Sequence, residues 1–484
     1  MSNTAKPVVL LIGGLDPQGC AGIAADLATV QHHDCHGLPL ITAMTEQTSA
    51  GMTSLGAVSP DKLMAQFESA MADFEIAAVK IGLIPNMAIA ACINTILDRL
   101  EGIPVVLDPV LGSTRGGLSV GDEVKQYLCQ VLLPRITLLT PNLPELLALT
   151  GVTESIEEGA GALRQAGLAA CLVKGGHTEC SDFASDYFVF EETGFYCYQQ
   201  KLDKQVRGTG CVLASSIAAR LASGQDIRDA VVLAKAYVTR GIRLSRQIGP
   251  YRLIEHCREP LALEDIPRLC YRPELVGKRF HFPACPERLG IYPVVDSSDW
   301  VKKLVTEGVQ TIQLRVKDRN EAETRQQIKA ALACVDGRPV SFFVNDHWKI
   351  AIEMGAYGVH LGQDDLNDAN LQALADAGLR LGISTHSYWE LARALAVNPS
   401  YIALGPIYAT TSKQMPFSPQ GIDRLQQWVD MLAGHYPVVA IGGINLARAR
   451  ELQPTGVGSV AMITAITQAE DYRAVTRDLL ALWQ

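Results

Sequence analysis

Short apolar runs alternate with longer amphipathic stretches along most of this 484-residue chain. Apolar runs bounded by turn residues are typical of buried strands, and the stretches between them have helical spacing. In residues 6–250 the predicted strands are Val8–Ile12, Val79–Gly82, Val105–Asp108, Leu138–Thr140 and Ala170–Lys174, with a later hairpin at Tyr187–Phe190 and Gly194–Tyr198. Strands separated by helices pair in parallel, so we predict a three-layer α/β domain with helices on both faces of the sheet.

The C-terminal part of the chain repeats a strand–helix pattern eight times. The predicted strands are Gly290–Val295, Thr311–Arg315, Ser341–Val344, Gly358–Leu361, Arg380–Ser384, Tyr401–Gly405, Val438–Gly442 and Gly458–Ile463. Eight such units in about 200 residues are the size of a compact (β/α)8 barrel, the TIM barrel fold. Polar residues follow most of these strands, and barrel enzymes place their chemistry at that end. We therefore predict one shared site at the barrel mouth rather than polar residues scattered over separate loops.

The alternation stops between Tyr251 and Pro286, a stretch with five prolines. We interpret this stretch as a connector with room for a short helix. The predicted domains are therefore residues 1–257 and 287–484, joined by a linker at residues 258–286.

Composition and charge narrow the classes of function. The chain is 48% hydrophobic and 19% charged, with a net charge of −9. Nucleic acids and anionic membranes select basic faces, so neither is an expected partner. Twelve cysteines without a CxxC pair indicate thiols in a reducing compartment, and we expect a cytoplasmic protein. No apolar run is long enough to span a membrane, and Pro7–Leu15 is predicted to be a buried strand rather than a signal segment.

The segment Arg207–Cys211 (RGTGC) precedes a helical run. Glycines at a helix start expose backbone N–H groups, and the helix dipole favours an anion there. A thiol in the first helical turn is a setting in which its pKa falls, so Cys211 is a candidate base for a substrate hydroxyl. A glycine-rich turn with a buried cysteine is the alternative on composition alone.

Three predicted strands of the N-terminal half end in charged or amide residues. Asp108 ends one strand, Asn142 and Glu145 follow another, and Lys174 ends a third. Carboxylates at strand ends can hold Mg2+ near a triphosphate, and a lysine can pair with phosphate. Each residue alone can equally be a surface charge or part of a turn, but the strand ends share one edge of the sheet.

Residues 8–250 resemble the hydroxymethylpyrimidine/phosphomethylpyrimidine kinases, which are ribokinase-like. The resemblance is carried by GGLDPQGCAGIAADL, ITAMTEQTS, VKIGLI, VVLDPV, TPNLPE, VKGGH and RGTGC. It implies that Gln47, Asp26 and Gly14 bind the pyrimidine and that Asp108, Asn142 and Glu145 hold Mg2+–ATP. It further implies that Lys174 contacts the phosphates, that Gly208, Gly210 and Cys211 form an anion hole, and that Cys211 is the base. Arg207 stands where this family more usually has His.

In the C-terminal half, Gln313, Arg315 and Lys317 alternate along one strand and can therefore point together into the barrel mouth. Two cations and an amide suit a pyrophosphate, and the carboxylates after the next two strands suit a bridging Mg2+. An amphipathic strand edge is the alternative for this strand taken alone. Glycines and hydroxyls after strands six to eight can form the phosphate cup of such barrels.

This half resembles thiamine-phosphate synthase. The motifs are LGIYPVVD, QLRVKDR, FVNDHW, GVHLGQDDL, LGISTH, YIALGPIYATTSKQ, AIGGI and ITAITQAED. The resemblance implies that Gln313, Arg315, Lys317, Asn345 and Ser384 bind the pyrimidine pyrophosphate and that Asp346 and Asp365 bind Mg2+. It implies that the thiazole phosphate is bound by Thr410, Thr411, Ser412, Lys413, Gly443, Ile463 and Thr464.

The two resemblances together imply consecutive reactions with hydroxymethylpyrimidine, ATP and a thiazole phosphate as substrates. The expected coupling is an ionisation in which pyrophosphate leaves and the thiazole nitrogen captures the pyrimidine cation. Related kinases and synthases suggest a homodimer. Two alternatives are a kinase half that acts on a vitamin B6 alcohol or aldehyde, and a degenerate kinase half that only binds pyrimidine and regulates the synthase.

Overall fold

The computed structural model describes residues 5–48, 51–112, 120–152, 155–175, 182–258, 261–409 and 418–483. The chain divides into two compact units, Met1–Gly277 and Lys278–Gln484. Within the described ranges, no helix has the length and apolarity needed to cross a membrane.

The first unit is built on one large sheet. Its strands are β1 (Val8–Leu15), β2 (His36–Thr48), β3 (Gly51–Ala57), β4 (Ala78–Ile81), β5 (Val105–Leu107), β6 (Leu138–Leu139), β7 (Ala170–Val173), β8 (Phe183–Phe190), β9 (Thr193–Gln200), β10 (Arg246–Ile248), β11 (Tyr251–Leu253) and β12 (Arg268–Cys270). All but β10 and β11 form a ten-stranded sheet in the order β12-β9-β8-β7-β6-β5-β4-β1-β2-β3. The pairs from β1 through β4, β5 and β6 to β7 are parallel, as predicted, and β8 and β9 form the predicted antiparallel hairpin. The strand β2, which was not predicted, pairs in parallel with β1.

Helices cover both faces of this sheet. They are α1 (Gly22–His32), α2 (Pro60–Asp73), α3 (Met87–Asp98), α4 (Asp122–Tyr127), α5 (Leu143–Thr150), α6 (Ile156–Gln165), α7 (Thr209–Ala222) and α8 (Ile227–Arg243). Alternate residues of a strand face opposite sides, so Val79 and Ile81 of β4 join the apolar core with α2 to α6. Lys80, between them, faces α1 and α7 on the other side. The three-layer prediction is therefore confirmed.

Two parts of the first unit differ from the sequence prediction. The β2–β3 hairpin was not predicted, because its exposed and polar residues lack a clear apolar run. The segment predicted as a linker contains β12, which pairs with β9. Arg243 also binds the buried Asp265 through both carboxylate oxygens. A three-residue edge strand is too short for its periodicity to be visible in sequence, and the first unit extends to Gly277.

The second unit is a closed parallel barrel. Its strands are β13 (Gly290–Val295), β14 (Thr311–Leu314), β15 (Ser341–Asn345), β16 (Gly358–Leu361), β17 (Arg380–Thr385), β18 (Tyr401–Leu404), β19 (Val438–Ile441) and β20 (Ser459–Met462). The barrel runs in chain order and closes where β13 pairs with β20. Its helices are α9 (Ser298–Thr306), α10 (Glu321–Val335), α11 (Trp348–Glu353), α12 (Asp365–Asp368), α13 (Leu371–Asp376), α14 (Tyr388–Val397), α15 (Gly421–Leu432), α16 (Leu446–Leu452), α17 (Thr464–Thr467) and α18 (Tyr472–Leu482). All eight strands predicted from the sequence are present, so the barrel prediction is confirmed.

Aromatic rings fill the lower part of the barrel. Tyr292, Phe343 and Tyr401 are buried against one another. Gly382 leaves room for Tyr401, because a Cβ atom there would lie 2.1 Å from the ring. The packed base leaves the open end of the strands as the place for polar side chains.

Candidate active sites

Three of the predicted phosphate-site residues of the first unit converge at the carboxyl ends of its parallel strands. The Lys174 ammonium lies 2.7 Å from a carboxylate oxygen of Asp108 and 3.9 Å from one of Glu145. Asn142 and Glu145 form a capping box at the start of α5, with hydrogen bonds of 2.7 and 2.8 Å. Burial raises the pKa of the Glu145 carboxyl to about 7, although the positive charge of Lys174 lowers it. The site therefore pairs one cation with two carboxylates, one of which titrates near neutral pH.

The helix start at α7 lies directly beside this cluster. Gly208 has a φ of +79°, and a Cβ atom there would lie 2.1 Å from the carbonyl oxygen of Cys20. A Cβ atom on Gly210 would lie 3.3 Å from the Lys174 ammonium nitrogen. A side chain at Gly208 is thus excluded both by the backbone conformation and by the lack of space. The backbone N–H groups therefore stay accessible to an anion next to Lys174.

Cys211 lies in the first turn of α7 and is half-buried. Burial raises the pKa of its thiol to about 11, and the nearby Asp26 and Asp108 act in the same direction. Lys80 and a hydrogen bond from the backbone of Gly22 lower the pKa without cancelling this effect. The sequence prediction of a lowered pKa for Cys211 is therefore wrong, because desolvation outweighs the helix start.

A buried ion pair lies beneath Cys211 and was not predicted. The Lys80 ammonium donates to Asp26 at 2.7 Å, and the Ser215 hydroxyl donates to the other Asp26 oxygen at 2.7 Å. The Lys80 side chain is 1% exposed and that of Asp26 is not exposed. Both oxygens of Asp26, which was predicted to bind the pyrimidine, thus accept hydrogen bonds from internal partners. A lysine within the apolar strand sequence AVKI was the available signal for this pair.

Gln47, Gly14 and Arg207 lie around the space next to the helix start. Gln47 is half-buried near the tip of β2, and its backbone oxygen accepts from Gln18 at 3.2 Å. The Arg207 guanidinium donates to the Gln47 side-chain oxygen at 3.5 Å. Gly14 is packed closely, since a Cβ atom there would lie 2.9 Å from Leu83. Gln47 therefore stands next to the anion hole, where an amide can bind a substrate ring.

At the mouth of the barrel, the predicted charged residues face one another. Asp346 follows β15 with a φ of +61°, a left-handed conformation that is rare for a non-glycine residue. Burial and the Asp365 carboxylate raise the pKa of Asp346, whereas Lys317 and Arg315 lower it. Two carboxylates so close together repel each other, which favours the binding of a metal cation. The two positively charged side chains beside them favour an anionic ligand.

A hydrogen-bonded chain crosses the barrel interior below these charges. Gln313 donates to the Tyr292 hydroxyl at 3.2 Å, and the Tyr292 and Tyr401 hydroxyls lie 2.8 Å apart. His360 bridges the Tyr401 hydroxyl and the Ser384 hydroxyl, at 2.7 Å on each side. Burial lowers the pKa of His360 to about 4, so the ring is neutral and donates through one nitrogen only. The chain fixes the orientation of Gln313 and Ser384 at its two ends, and both are among the residues predicted to bind the pyrimidine pyrophosphate.

The central members of this chain were missed in the sequence. His360 in GVHL is the one polar side chain of an apolar strand, and that was the available signal. Its role depends on Tyr401, which is 41 residues away in sequence. No local pattern predicts such a partner.

The other predicted barrel residues lie at neighbouring strand ends. Asn345 ends β15 beside His360 of β16. Gly443 follows β19 with a φ of +64°, Ile463 follows β20, and Thr464 begins α17. Thr410, Thr411, Ser412 and Lys413 lie outside the described residues.

Whether these residues suit Mg2+ can be judged from the donor sets. Among the described residues, no group of three or more His, Cys, Asp or Glu side chains is placed to hold a metal ion. Mg2+ usually takes one or two protein carboxylates and completes its shell with phosphate oxygens and water. The Asp346–Asp365 pair fits that demand, and so do Asp108 and Glu145 beside Lys174.

The two units match two different families of known proteins. Residues 16–254 match the family described as Phosphomethylpyrimidine kinase, and residues 291–466 match the family described as Thiamine monophosphate synthase. The thiamine-phosphate synthases of Citrobacter koseri and Salmonella typhimurium are each 52% identical over 201 residues, which are 42% of this chain and 95% of those proteins.

Solved structures resemble the first unit. Phosphomethylpyrimidine kinase from Clostridium difficile 630 is 31% identical with a TM-score of 0.43, over 48% of this chain and 98% of that chain. Bacillus subtilis pyridoxal kinase, solved as an ADP complex, is 25% identical with a TM-score of 0.49, over 52% of this chain and 98% of that chain.

Proposed function

The chain belongs to the thiamine-phosphate synthase family through its second unit and carries a phosphomethylpyrimidine kinase domain in its first, and we propose how the residues of its two sites make thiamine phosphate. The first unit phosphorylates hydroxymethylpyrimidine and then its monophosphate. The second unit couples the resulting pyrophosphate to a thiazole phosphate. The observation that carries the assignment of residues is that each unit gathers paired carboxylates and cations at the open ends of its parallel strands.

In the kinase site, we assign phosphoryl transfer to the space between Gln47 and the start of α7. Gln47 binds the ring, and the backbone N–H groups from Gly208 to Cys211 together with Lys174 stabilise the charge on the transferred group. Cys211 takes the proton of the hydroxymethyl group. Asp108 and Glu145 would hold Mg2+–ATP, which would supply the phosphoryl group and charge neutralisation there.

In the synthase site, departure of pyrophosphate is assisted where charge develops on its oxygens. Arg315 and Lys317 pair with the pyrophosphate, and Asp346 and Asp365 would hold a Mg2+ ion, which would add to the neutralisation of its charge. Gln313 and Ser384 orient the aminopyrimidine from the two ends of the buried chain. The thiazole phosphate is held by Gly443, Ile463 and Thr464, with residues 410–413 completing this side.

The remaining assignments are part of the same proposal. ATP is the phosphoryl donor, and the protein works in the cytoplasm as a homodimer. Residues 258–286 contain the connection between the two functional domains, and the part from Lys278 onward belongs to the barrel unit.

The test uses the purified chain with hydroxymethylpyrimidine, ATP, Mg2+ and the thiazole phosphate. We expect thiamine phosphate, detected chromatographically, and no product when any one component is omitted. Pyridoxal replaces hydroxymethylpyrimidine in a parallel reaction, and faster ADP release with pyridoxal would contradict the assigned substrate.

Two variants test the division of labour. Cys211→Ala and Asp365→Ala should each fail alone with hydroxymethylpyrimidine. A mixture of the two should form thiamine phosphate, because the diffusing intermediate passes from one intact site to the other. A mixture that forms no product, although each variant retains its other activity, would contradict two independent sites.

A further inference from the structure

Arg207 is a half-buried cation whose described contacts are neutral. Its guanidinium stacks over the ring of Tyr251, with 4.8 Å between the guanidinium carbon and the ring centroid. One terminal nitrogen donates to the Gln47 side-chain oxygen at 3.5 Å, the limit of a hydrogen bond. The other terminal nitrogen is buried and has no hydrogen-bond partner in the part of the chain that the structure describes. A buried donor without an acceptor is unfavourable, so this one indicates an acceptor that the protein alone does not supply.

The position of Arg207 indicates which acceptor that is. Its backbone leads directly into Gly208 of the anion hole, while its side chain reaches Gln47. Arg207 therefore lies between Gln47, which holds the pyrimidine ring, and the anion hole that begins at Gly208 and binds the transferred phosphoryl group. A phosphate on the ring methylene has to occupy this interval.

The surroundings of Arg207 favour negative charge. It lines a cavity of about 420 Å³ together with Lys204, Arg252 and Asp203, and the described lining of that cavity does not include Gln47 or the start of α7. Lys204 and Arg252 donate to the backbone oxygens of Arg243 and Ser245, which leaves Arg207 as the cation that faces Gln47. The charge of Arg207 also lowers the pKa of the Cys20 thiol, although burial and Asp16 raise it overall. Its field therefore reaches the loop that contacts Gly208.

We propose that Arg207 binds the phosphate of phosphomethylpyrimidine and so determines acceptance of the second substrate of the kinase. This inference rests on the proposed function. In the second step an oxygen of that phosphate attacks the γ-phosphorus of ATP. The new P–O bond forms as the bond to the β-phosphate oxygen breaks, and ADP leaves with that electron pair. The acceptor is an unprotonated phosphate oxygen, so a cation is needed there more than a base.

The experiment compares the two phosphorylations in the full-length chain. Arg207→Gln should lower kcat/KM for phosphomethylpyrimidine by about 10- to 100-fold, mainly through KM, as expected for loss of a charge-assisted hydrogen bond. Turnover of hydroxymethylpyrimidine should change by less than about threefold, since that substrate has no phosphate. Arg207→Lys, which keeps the charge, should recover part of the loss.

Three controls make the outcome specific. Lys204→Gln removes a positive charge from the same cavity and should not change the ratio of the two activities. The KM for ATP should be unaltered in Arg207→Gln, because a raised value would assign Arg207 to the nucleotide instead and overturn the proposal. Retained turnover of hydroxymethylpyrimidine in Arg207→Gln shows that the first unit of the variant is folded, because Arg207 lies in that unit.

Two results would overturn the inference while leaving the proposed function intact. One is an equal loss of both phosphorylations in Arg207→Gln, which would assign Arg207 to positioning Gln47. The other is no loss in either. If the parent chain phosphorylates neither pyrimidine, the proposed function fails first and this inference with it.

Discussion

Cys211 should matter for the first phosphorylation and much less for the second. Hydroxymethylpyrimidine presents an alcohol, which must lose a proton as it attacks. Phosphomethylpyrimidine presents a phosphate whose second pKa is about 6, so its attacking oxygen is already unprotonated at neutral pH. A base is therefore required in one step only, although both steps use the same site.

The structure sets the size and the pH dependence of this effect. With a thiol pKa of about 11, about one Cys211 in ten thousand is a thiolate at pH 7. The thiolate is the basic form, so its fraction rises about tenfold per pH unit until the pH approaches that pKa. Turnover of the alcohol should rise with the same slope between about pH 7 and pH 10, and turnover of the monophosphate should stay flat. Removing the base should cost the alcohol reaction about 10²- to 10⁴-fold.

The assay measures ADP release with each pyrimidine separately, for the parent chain and for Cys211→Ala. Cys92→Ala is the matched control, because Cys92 is a buried thiol on α3 whose partner is the Pro60 carbonyl. It should leave both reactions unchanged. Equal loss of both reactions in Cys211→Ala, or a flat pH profile with the alcohol in the parent chain, would refute the assignment of Cys211 as a base.

Asp365→Ala should lower thiamine phosphate formation from supplied pyrimidine pyrophosphate by more than about 100-fold and leave ADP release by the kinase unchanged. Loss of both activities would show that the two sites are not separate. Lys80→Met leaves the buried Asp26 without its cation, so urea unfolding should report about 3–5 kcal/mol less stability, with much of it recovered in Lys80→Met/Asp26→Leu. A double variant as unstable as the single one would contradict the pairing. Glu145→Gln keeps the cap but cannot ionise, and it should raise unfolding free energy by about 1–3 kcal/mol at pH 8 while kinase activity falls. The stability of the protonated parent Glu145 is fully present below pH 4.5 and is lost as pH rises through about 7, so the advantage of the variant should vanish towards pH 4.5. An advantage that grew at low pH would have the wrong sign.

The barrel site was largely predictable because its geometry follows from strand alternation. Gln313 lies on β14, Arg315 and Lys317 come directly after the end of that strand, and Asp346 and Asp365 follow the ends of nearby strands. To predict that these residues lie close together, only the fold had to be predicted correctly. The structure brings the four charged residues together as the sequence predicted.

The kinase site was predictable in its motifs but not in its electrostatics. A helix start suggested a low pKa for Cys211, but burial among Asp26 and Asp108 raises it. The β2–β3 hairpin that carries Gln47 was also invisible to periodicity. Desolvation depends on every neighbouring atom, so no local pattern reports it.

The sequence by itself determined the eight barrel strands, the parallel strands β1 and β4 to β7 and the residues at their ends, because side-chain periodicity and turn residues act over a few neighbours. The tertiary structure alone decided the pairing of Lys80 with Asp26, which lie 54 residues apart, and the chain from Tyr401 through His360. These contacts depend on which faces of distant elements meet in the interior. There the low dielectric gives an ion pair or a hydrogen bond its strength, and the same burial sets the pKa values of the groups beside it.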